Sequence, residues 1–181
     1  MRVRLREKYS DGELANIYAA PHNHSQWFDH KVRVQTSIGM LKPFQFNSAA
    51  DLSAGDASII NSIGVNEKHV GDYAPGYQYT GAIEATINQI PKVDLFICSE
   101  TLEHLDNPDF ALSKIREKTE WLFVSTPLNE TNNNNPEHYW GWDTDGIKDM
   151  LQQAGFKIYM LNVLHFFSED FEYNYQMWVA K

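Results

Sequence analysis

From Pro43 onward the chain alternates short apolar runs with segments of helical period, and this alternation leaves few folds open to it. The run Val93-Asp-Leu-Phe-Ile-Cys98 is the clearest of them. A near-continuous apolar stretch of this kind suits a strand buried on both faces, the situation in a parallel sheet covered by helices. Phe46 to Leu52, His69 to Gly71 and Tyr77 to Thr80 read as three strands before it, and Trp121-Leu-Phe-Val-Ser125 as a fifth after it. Helices fall between them. Asp56 to Ile63 puts Ile59, Ile60 and Ile63 on one face, with Gly64 as the stop. Asn107 caps a helix with Pro108 at its first position and Ala111, Leu112 and Ile115 on one face. Ile147, Met150, Leu151 and Ala154 recur at i, i+3, i+4 and i+7 before Gly155. The last two apolar segments, 156–164 and 173–181, have no helix between them and predict an antiparallel pair ending the sheet. The expected class is α/β.

Before Pro43 the pattern is weaker. Ser10-Asp-Gly-Glu13 fits a capping box, which predicts a short helix through Leu14, Ile17 and Tyr18 until Pro21. Residues 21–33 mix His22, His24 and His30 with Trp27 and Phe28. Too polar for a core helix and too aromatic for a linker, they read as a lid or docking segment. Residues 1–45 are therefore expected to form an N-terminal helical arm, and 46–181 the core domain, divided only by a polar asparagine loop at 132–135. A chain of 181 residues that is 43% hydrophobic suffices for one core. Its 24 acidic and 15 basic side chains give a net charge of −9, so the surface repels polyanions and a nucleic acid is a disfavoured partner. The single cysteine excludes a disulfide scaffold, and no apolar run approaches the ~18 residues of a membrane span. Arg2, Arg4, Arg6 and Lys8 are not followed by the apolar stretch of a secretory signal, so a cytoplasmic location is expected.

In open α/β sheets ligands sit outside the carboxyl ends of the strands, so the residues just past each strand bear on chemistry. Past the first strand lies Asp51-Leu-Ser53-Ala-Gly55-Asp56-Ala57-Ser58, whose small residues let backbone amides approach a ligand. Asp72 ends the second strand, where an acid can accept hydrogen bonds from both hydroxyls of a ribose. With Cys-Ser-Glu-Thr-Leu-Glu-His-Leu at 98–105, the chain resembles the class I S-adenosylmethionine-dependent methyltransferases, in particular the small-molecule-type, type 11/12-like group. The resemblance runs from about Asn47 to Phe156 and is most specific over VDLFICSETLEHLDNP. It implies a doubly wound, seven-stranded Rossmann-like sheet, mostly parallel with an antiparallel terminal strand, and S-adenosyl-L-methionine as cofactor.

Residue by residue, the resemblance puts Asp51, Ser53, Gly55 and Ala57 on the family's glycine-rich turn, here with one true glycine, and Asp72 on the ribose. Ala82 and Ile83 stand where the family cradles adenine, without the aspartate often found there, and Ser99 and Glu100 line the methionine part of the cofactor. Trp27 and Arg33 are expected to seal the cofactor and pair with its carboxylate, and Pro136 to Asp143, PEHYWGWD, resembles the substrate-side loop. Methyl transfer needs alignment rather than a nucleophile, but an oxygen or nitrogen acceptor must lose a proton, a task suited to histidine. His104 and His138 are the candidates, with His138 preferred, and Tyr139, Trp140 and Trp142 are expected on the acceptor. That acceptor is expected to be a small molecule, a saccharide or a protein side chain. His22, His24 and His30 beside Asp29 lack a firm ligand geometry, so no metal is assigned. Two alternatives stay open: a nicotinamide-dependent reductase, whose G-x-G-x-x-G spacing is met here only by Ser53, Gly55 and Ser58, and a degenerate non-catalytic binding module, which the missing glycines suggest.

Overall fold

The computed structural model describes all residues except 21–23, 25, 132–134, 169 and 170. His22 and most of the asparagine tract thus lie outside the described residues. In chain order the elements are β1 (Arg2–Arg4), α1 (Asp11–Ile17), α2 (Phe28–Leu41), β2 (Ser48–Asp51), α3 (Ser58–Ser62), β3 (Glu67–Asp72), β4 (Tyr79–Thr80), α4 (Ile83–Thr86), β5 (Val93–Ser99), α5 (Pro108–Lys118), β6 (Thr119–Pro127), β7 (Trp140–Trp142), α6 (Thr144–Gln153), β8 (Ile158–Ser168) and β9 (Phe171–Ala180). Single 3-10 turns follow α4 at Ile87–Gln89 and β5 at Leu102–His104.

Seven strands form one sheet in the order β4-β3-β2-β5-β6-β9-β8. The five strands from β4 to β6 are mutually parallel, and β9 runs antiparallel to both β6 and β8. The chain steps from β2 outward through β3 to β4, then returns to the other side of β2 as β5. The reversal puts a crevice at the carboxyl ends of β2 and β5. Register aligns that rim: Asp51 lies opposite Val70 and Ile97, and Ser99 opposite Ser125.

The central strands alternate between two apolar layers, as a two-residue period requires. Ala50, Phe96, Cys98, Leu122 and Val124 face a cluster with Ile83, Leu112, Ile115, Ile147 and Leu151 from α4, α5 and α6. Ala49, Leu95, Ile97 and Phe123 face a second cluster with Val34, Met40, Leu41, Ile59 and Ile60 from α2 and α3.

Local signals set several boundaries. Ser10 and Glu13 make the reciprocal capping box of α1, the Asn107 side chain accepts the Phe110 amide at the start of α5, and Gly155, at φ +87°, follows α6. Gly64 does not act as a left-handed stop. α3 ends at Ser62, and Ile63 is already extended. The third expected strand shrinks to Tyr79–Thr80.

The larger departure is α2. Residues 28–33, read as too polar for a core helix, open a helix of 14 residues whose buried side chains are Arg33, Val34, Ser37, Met40 and Leu41. Its inner face is partly polar because polar partners await it: Ser37 Oγ donates to the Arg33 carbonyl at 2.8 Å, and Arg33 reaches serines on the sheet. The N-terminal residues also form structure unanticipated in the sequence, an antiparallel ribbon pairing β1 with β7. No helix among the described residues is long and apolar enough to cross a membrane.

Candidate functional site

A cavity of about 1330 Å³ opens at the carboxyl rim of the sheet. Its floor is the turn after β2 and the end of β3. Asp51 Oδ1 accepts the Ser53 amide at 3.2 Å, and Asp72 Oδ2 accepts the Gly55 amide at 2.9 Å while Oδ1 accepts that of Ala74, also at 2.9 Å. Gly55 at φ +53° and Ala57 at φ +56° take left-handed backbone, so the turn keeps its shape although one position carries a Cβ. Ser53 Oγ lies 2.6 Å from Thr101 Oγ1, joining this turn to the segment after β5. Tyr77 OH donates to the Gly55 carbonyl from the outer side.

The far wall is built on β5, β6 and α2. Arg33 is 5% exposed. It donates from one terminal nitrogen to Ser99 Oγ at 2.5 Å and Ser125 Oγ at 3.4 Å, its other terminal nitrogen lies 3.1 Å from His30 Nδ1, and its buried Nε has no hydrogen-bond partner among the described residues. Glu100, at φ +51°, accepts from Ser125 Oγ at 2.8 Å.

The third side comes from the turn after β5 and the loop after β6. His104 Nδ1 donates to the Glu137 carbonyl at 3.0 Å. His138 is 4% exposed and its Nδ1 lies 2.7 Å from Glu130 Oε2, while Asn135 Nδ2 lies 2.9 Å from its Nε2. The two imidazoles meet edge to face with centroids 4.8 Å apart.

Burial sets the protonation of this region. It raises the Asp51 carboxyl to about 7 against the stabilising Ser53 amide, with the Asp72 charge adding to the rise. Burial likewise raises Glu100, against the opposing pull of Arg33 and Ser125, and lifts Glu103 well above the ordinary carboxylate range with help from the Glu100 charge. Burial lowers His30, and the nearby Arg33 guanidinium lowers it further. Cys98 is fully buried, and burial pushes its thiol up, which leaves it inert.

Asp51, Ser53, Gly55, Asp72, Ala82, Ile83, Ser99, Glu100, Trp27, Arg33, His104 and His138 all line the one cavity. Trp27 stands at its mouth, 57% exposed. Tyr139, Trp140 and Trp142, expected on an acceptor, do not line it. They belong to the ribbon and its packing. Tyr139 is buried and its hydroxyl accepts the Tyr9 amide, Trp140 lies under the guanidinium groups of Arg2 and Arg4, and Trp142 is 1% exposed inside the main apolar cluster. Near His30, Asp29 accepts from Tyr175 OH at 2.7 Å. Glu130 and Glu103 were not singled out in the sequence. Glu103 sits inside the Glu-Thr-Leu-Glu-His phrase, but nothing in that phrase fixes its direction. Glu130 offers no signal beyond an acid eight residues before His138.

No family model matches the sequence, and no curated protein matches it. Solved structures do. A methyltransferase of Leishmania major described as S-adenosylmethionine-dependent matches with TM-score 0.66 at 13% identity, over 94% of this chain and 82% of that one. Magnesium protoporphyrin IX methyltransferase from Synechocystis, solved with S-adenosylhomocysteine bound, matches with TM-score 0.63 at 14% identity, over 93% and 92%. The small RNA methyltransferase HEN1 matches with TM-score 0.61 at 17% identity, over 90% of this chain and 26% of its own. At such identities the likeness concerns the fold, and the chain has the fold of the class I S-adenosylmethionine-dependent methyltransferases.

Proposed function

We propose that the chain binds S-adenosyl-L-methionine at the carboxyl rim of its sheet and transfers the methyl group to an oxygen or nitrogen atom of an acceptor. The observation that carries this reading is Asp72, which faces the cavity at the end of β3 while bracing the Gly55 turn. Each of its carboxylate oxygens accepts one amide and keeps a second lone pair, enough for the two hydroxyls of a ribose. Ala82 and Ile83 offer an apolar edge and backbone amides to an adenine, and Arg33, whose Nε has no partner among the described residues, fits the carboxylate of the methionine part. When bound, that cofactor supplies a methyl carbon activated by a sulfonium for in-line displacement.

The chain's own contribution is alignment and proton removal. Arg33 and Ser99 fix one end of the cavity, and Trp27 with the arm of residues 1–45 acts as a lid that excludes water. At the other end His138 is held by Glu130 through Nδ1 and acts as the general base once the Asn135 amide gives up its Nε2, with His104 beside it. Apolar clusters on both faces of the sheet support reading it as doubly wound. The lone buried thiol suits a reducing, cytoplasmic setting.

A small molecule, a saccharide or a protein side chain suits the acceptor side. Among the described residues the cavity is lined by eleven acidic side chains against Lys8 and Arg33, which repels a polyanion and welcomes a neutral or cationic acceptor. HEN1, of like fold, is a small RNA methyltransferase, so charge rather than fold separates the two kinds of acceptor here. Parallel titrations with S-adenosylhomocysteine and NADH test the reading. Uptake of the first alone supports it, uptake of the second alone indicates a nicotinamide-dependent reductase, and uptake of neither indicates a non-catalytic module.

A further inference from the structure

The seven-stranded sheet ends in two unlike edges. On one side β4 is two residues long, which leaves little backbone open to another chain. On the other side β8 runs for 11 residues and pairs only with β9 among the described residues, so a row of its amides and carbonyls faces outward. The devices that commonly block such an edge are nearly absent. Ile158 to Ser168 reads IYMLNVLHFFS, with no proline, lysine, arginine or acid. Its one irregularity lies between Ile158 and Met160, and from Met160 onward the strand keeps an unbroken register with β9.

The side chains on this edge are apolar and exposed. Successive residues of a strand point to opposite faces, so Met160 and Leu161, both exposed, leave the edge open above and below the sheet. Tyr159 and Phe167, the latter 80% exposed, extend the patch along the strand. At Phe166 it joins Phe28 of α2, 72% exposed, whose ring meets that of Phe166 edge to face at 6.3 Å. Phe28, Tyr159, Met160, Leu161 and Phe167 together expose roughly 550 Å². Doubled in a symmetric contact, that is about 1,100 Å², above the ~1,000 Å² that a specific interface needs.

We propose that β8 pairs antiparallel with β8 of a second copy of this chain about a twofold axis near Val163, joining two sheets into one. The edge is self-complementary in that arrangement. With the axis at Val163, Met160 stands opposite Phe166 of the second copy, Leu161 opposite His165 and Asn162 opposite Leu164. No register sets like charges opposite one another, because His165 is the strand's one titratable side chain. Antiparallel pairing also reverses the ends: Lys157 and Lys181 flank the start of β8, Glu172 lies opposite Phe167 near its finish, and the cationic end of each copy falls beside the acidic end of the other. For a chain of net charge −9, this edge is where two copies repel least. The contact covers Phe28 in the first turn of α2, the helix that carries Arg33 into the cavity. The pairing does not rest on the methyl-transfer reading.

Sedimentation velocity of the full-length chain over a dilution series tests the pairing. The parent is expected to form a dimer with micromolar or tighter Kd. Leu161→Lys/Phe167→Lys adds cations at positions already exposed and is expected to raise that Kd at least about tenfold. Its melting temperature, compared with the parent's at a concentration where both are monomeric, should be unchanged, which separates a lost contact from a lost fold. Phe110→Lys alters an exposed apolar residue on α5, which packs against α4, β5 and β6, and is expected to dimerise as the parent does. Cys98 is buried, so an introduced thiol is the reactive one, and on mild oxidation Asn162→Cys, Val163→Cys or Leu164→Cys, whichever lies on the axis, should give a disulfide-linked dimer. A parent that stays monomeric at about 100 μM, a dimer undiminished in the double lysine variant, a dimer lost equally in Phe110→Lys, or the absence of a cross-link at all three cysteine positions overturns the proposal.

Discussion

Asp72 Oδ2 accepts the Gly55 amide across 2.9 Å, tying the end of β3 to the turn that leaves β2. One carboxylate therefore shapes the floor of the cavity and faces into it. In this account Asp72→Ala weakens binding of S-adenosylhomocysteine by at least about tenfold, the loss of one charge-assisted contact. A double-mutant comparison isolates the ribose contribution. Adenosine should bind the parent more tightly than 2′,3′-dideoxyadenosine, and that difference should vanish in Asp72→Ala. A preference for adenosine that persists in the variant assigns the hydroxyls to another residue.

The neighbouring acid sets a pH dependence. Burial lifts the Asp51 carboxyl from its ordinary 3.8 to about 7, so between these values the folded chain holds a proton that the unfolded chain releases. Stability of the cofactor-free protein therefore falls as pH rises through that window, by up to roughly 4 kcal/mol. Asp51→Asn keeps an oxygen for the Ser53 amide and removes the charge. Chemical denaturation at several pH values should show a shallower decline for the variant; identical slopes remove Asp51 as the source.

Gly71 is placed by contact. A Cβ there would stand 2.6 Å from the Tyr79 carbonyl oxygen and 2.9 Å from the Tyr79 Cβ. These atoms belong to the strand paired with β3, at the register Gly71 opposite Tyr79. Gly71→Ala is expected to push β4 outward, to cost about 1–3 kcal/mol, and to weaken cofactor binding by shifting Asp72. Denaturant midpoints compared with Gly12→Ala, a position with open space around it, check the size of the effect.

His138 and Glu130 form a nearly buried pair, their side chains 5% and 8% exposed. His138→Asn is expected to leave S-adenosylhomocysteine affinity within about twofold and to lower turnover by roughly 10²- to 10⁴-fold once an acceptor is in hand. Glu130→Gln should act the same way and less severely, because it orients the ring without touching the acceptor. Unchanged turnover in His138→Asn removes it from the chemistry.

How much of this was legible depended on whether a residue's role is local. β5, β6 and the faces of α5 and α6 follow from apolar runs and periods that hold whatever the rest of the chain does. The helix starts at Ser10 and Asn107 follow from a side chain meeting an amide three residues away. α2 was hidden because its buried face includes Arg33 and Ser37, and its N-cap, Trp27, makes no side-chain hydrogen bond. The pairing of β1 with β7 joins residues about 140 apart in sequence through three positions on each strand, too few to leave a pattern. The same pairing turned Trp140 and Trp142 away from the cavity, and aromatic content alone does not distinguish a packing layer from a binding wall. The candidate site divides in the same way. Asp51, Gly55 and Asp72 lie at strand ends and could be placed from the strands, whereas the union of Glu103, Glu130 and His138 depends on how two loops meet.

Isothermal titration of the purified chain with S-adenosylhomocysteine bears most directly on the central claim. The account predicts saturable binding of one equivalent, lost or strongly weakened in Asp72→Ala and retained in His138→Asn. A parent chain that is folded by circular dichroism and takes up none contradicts it.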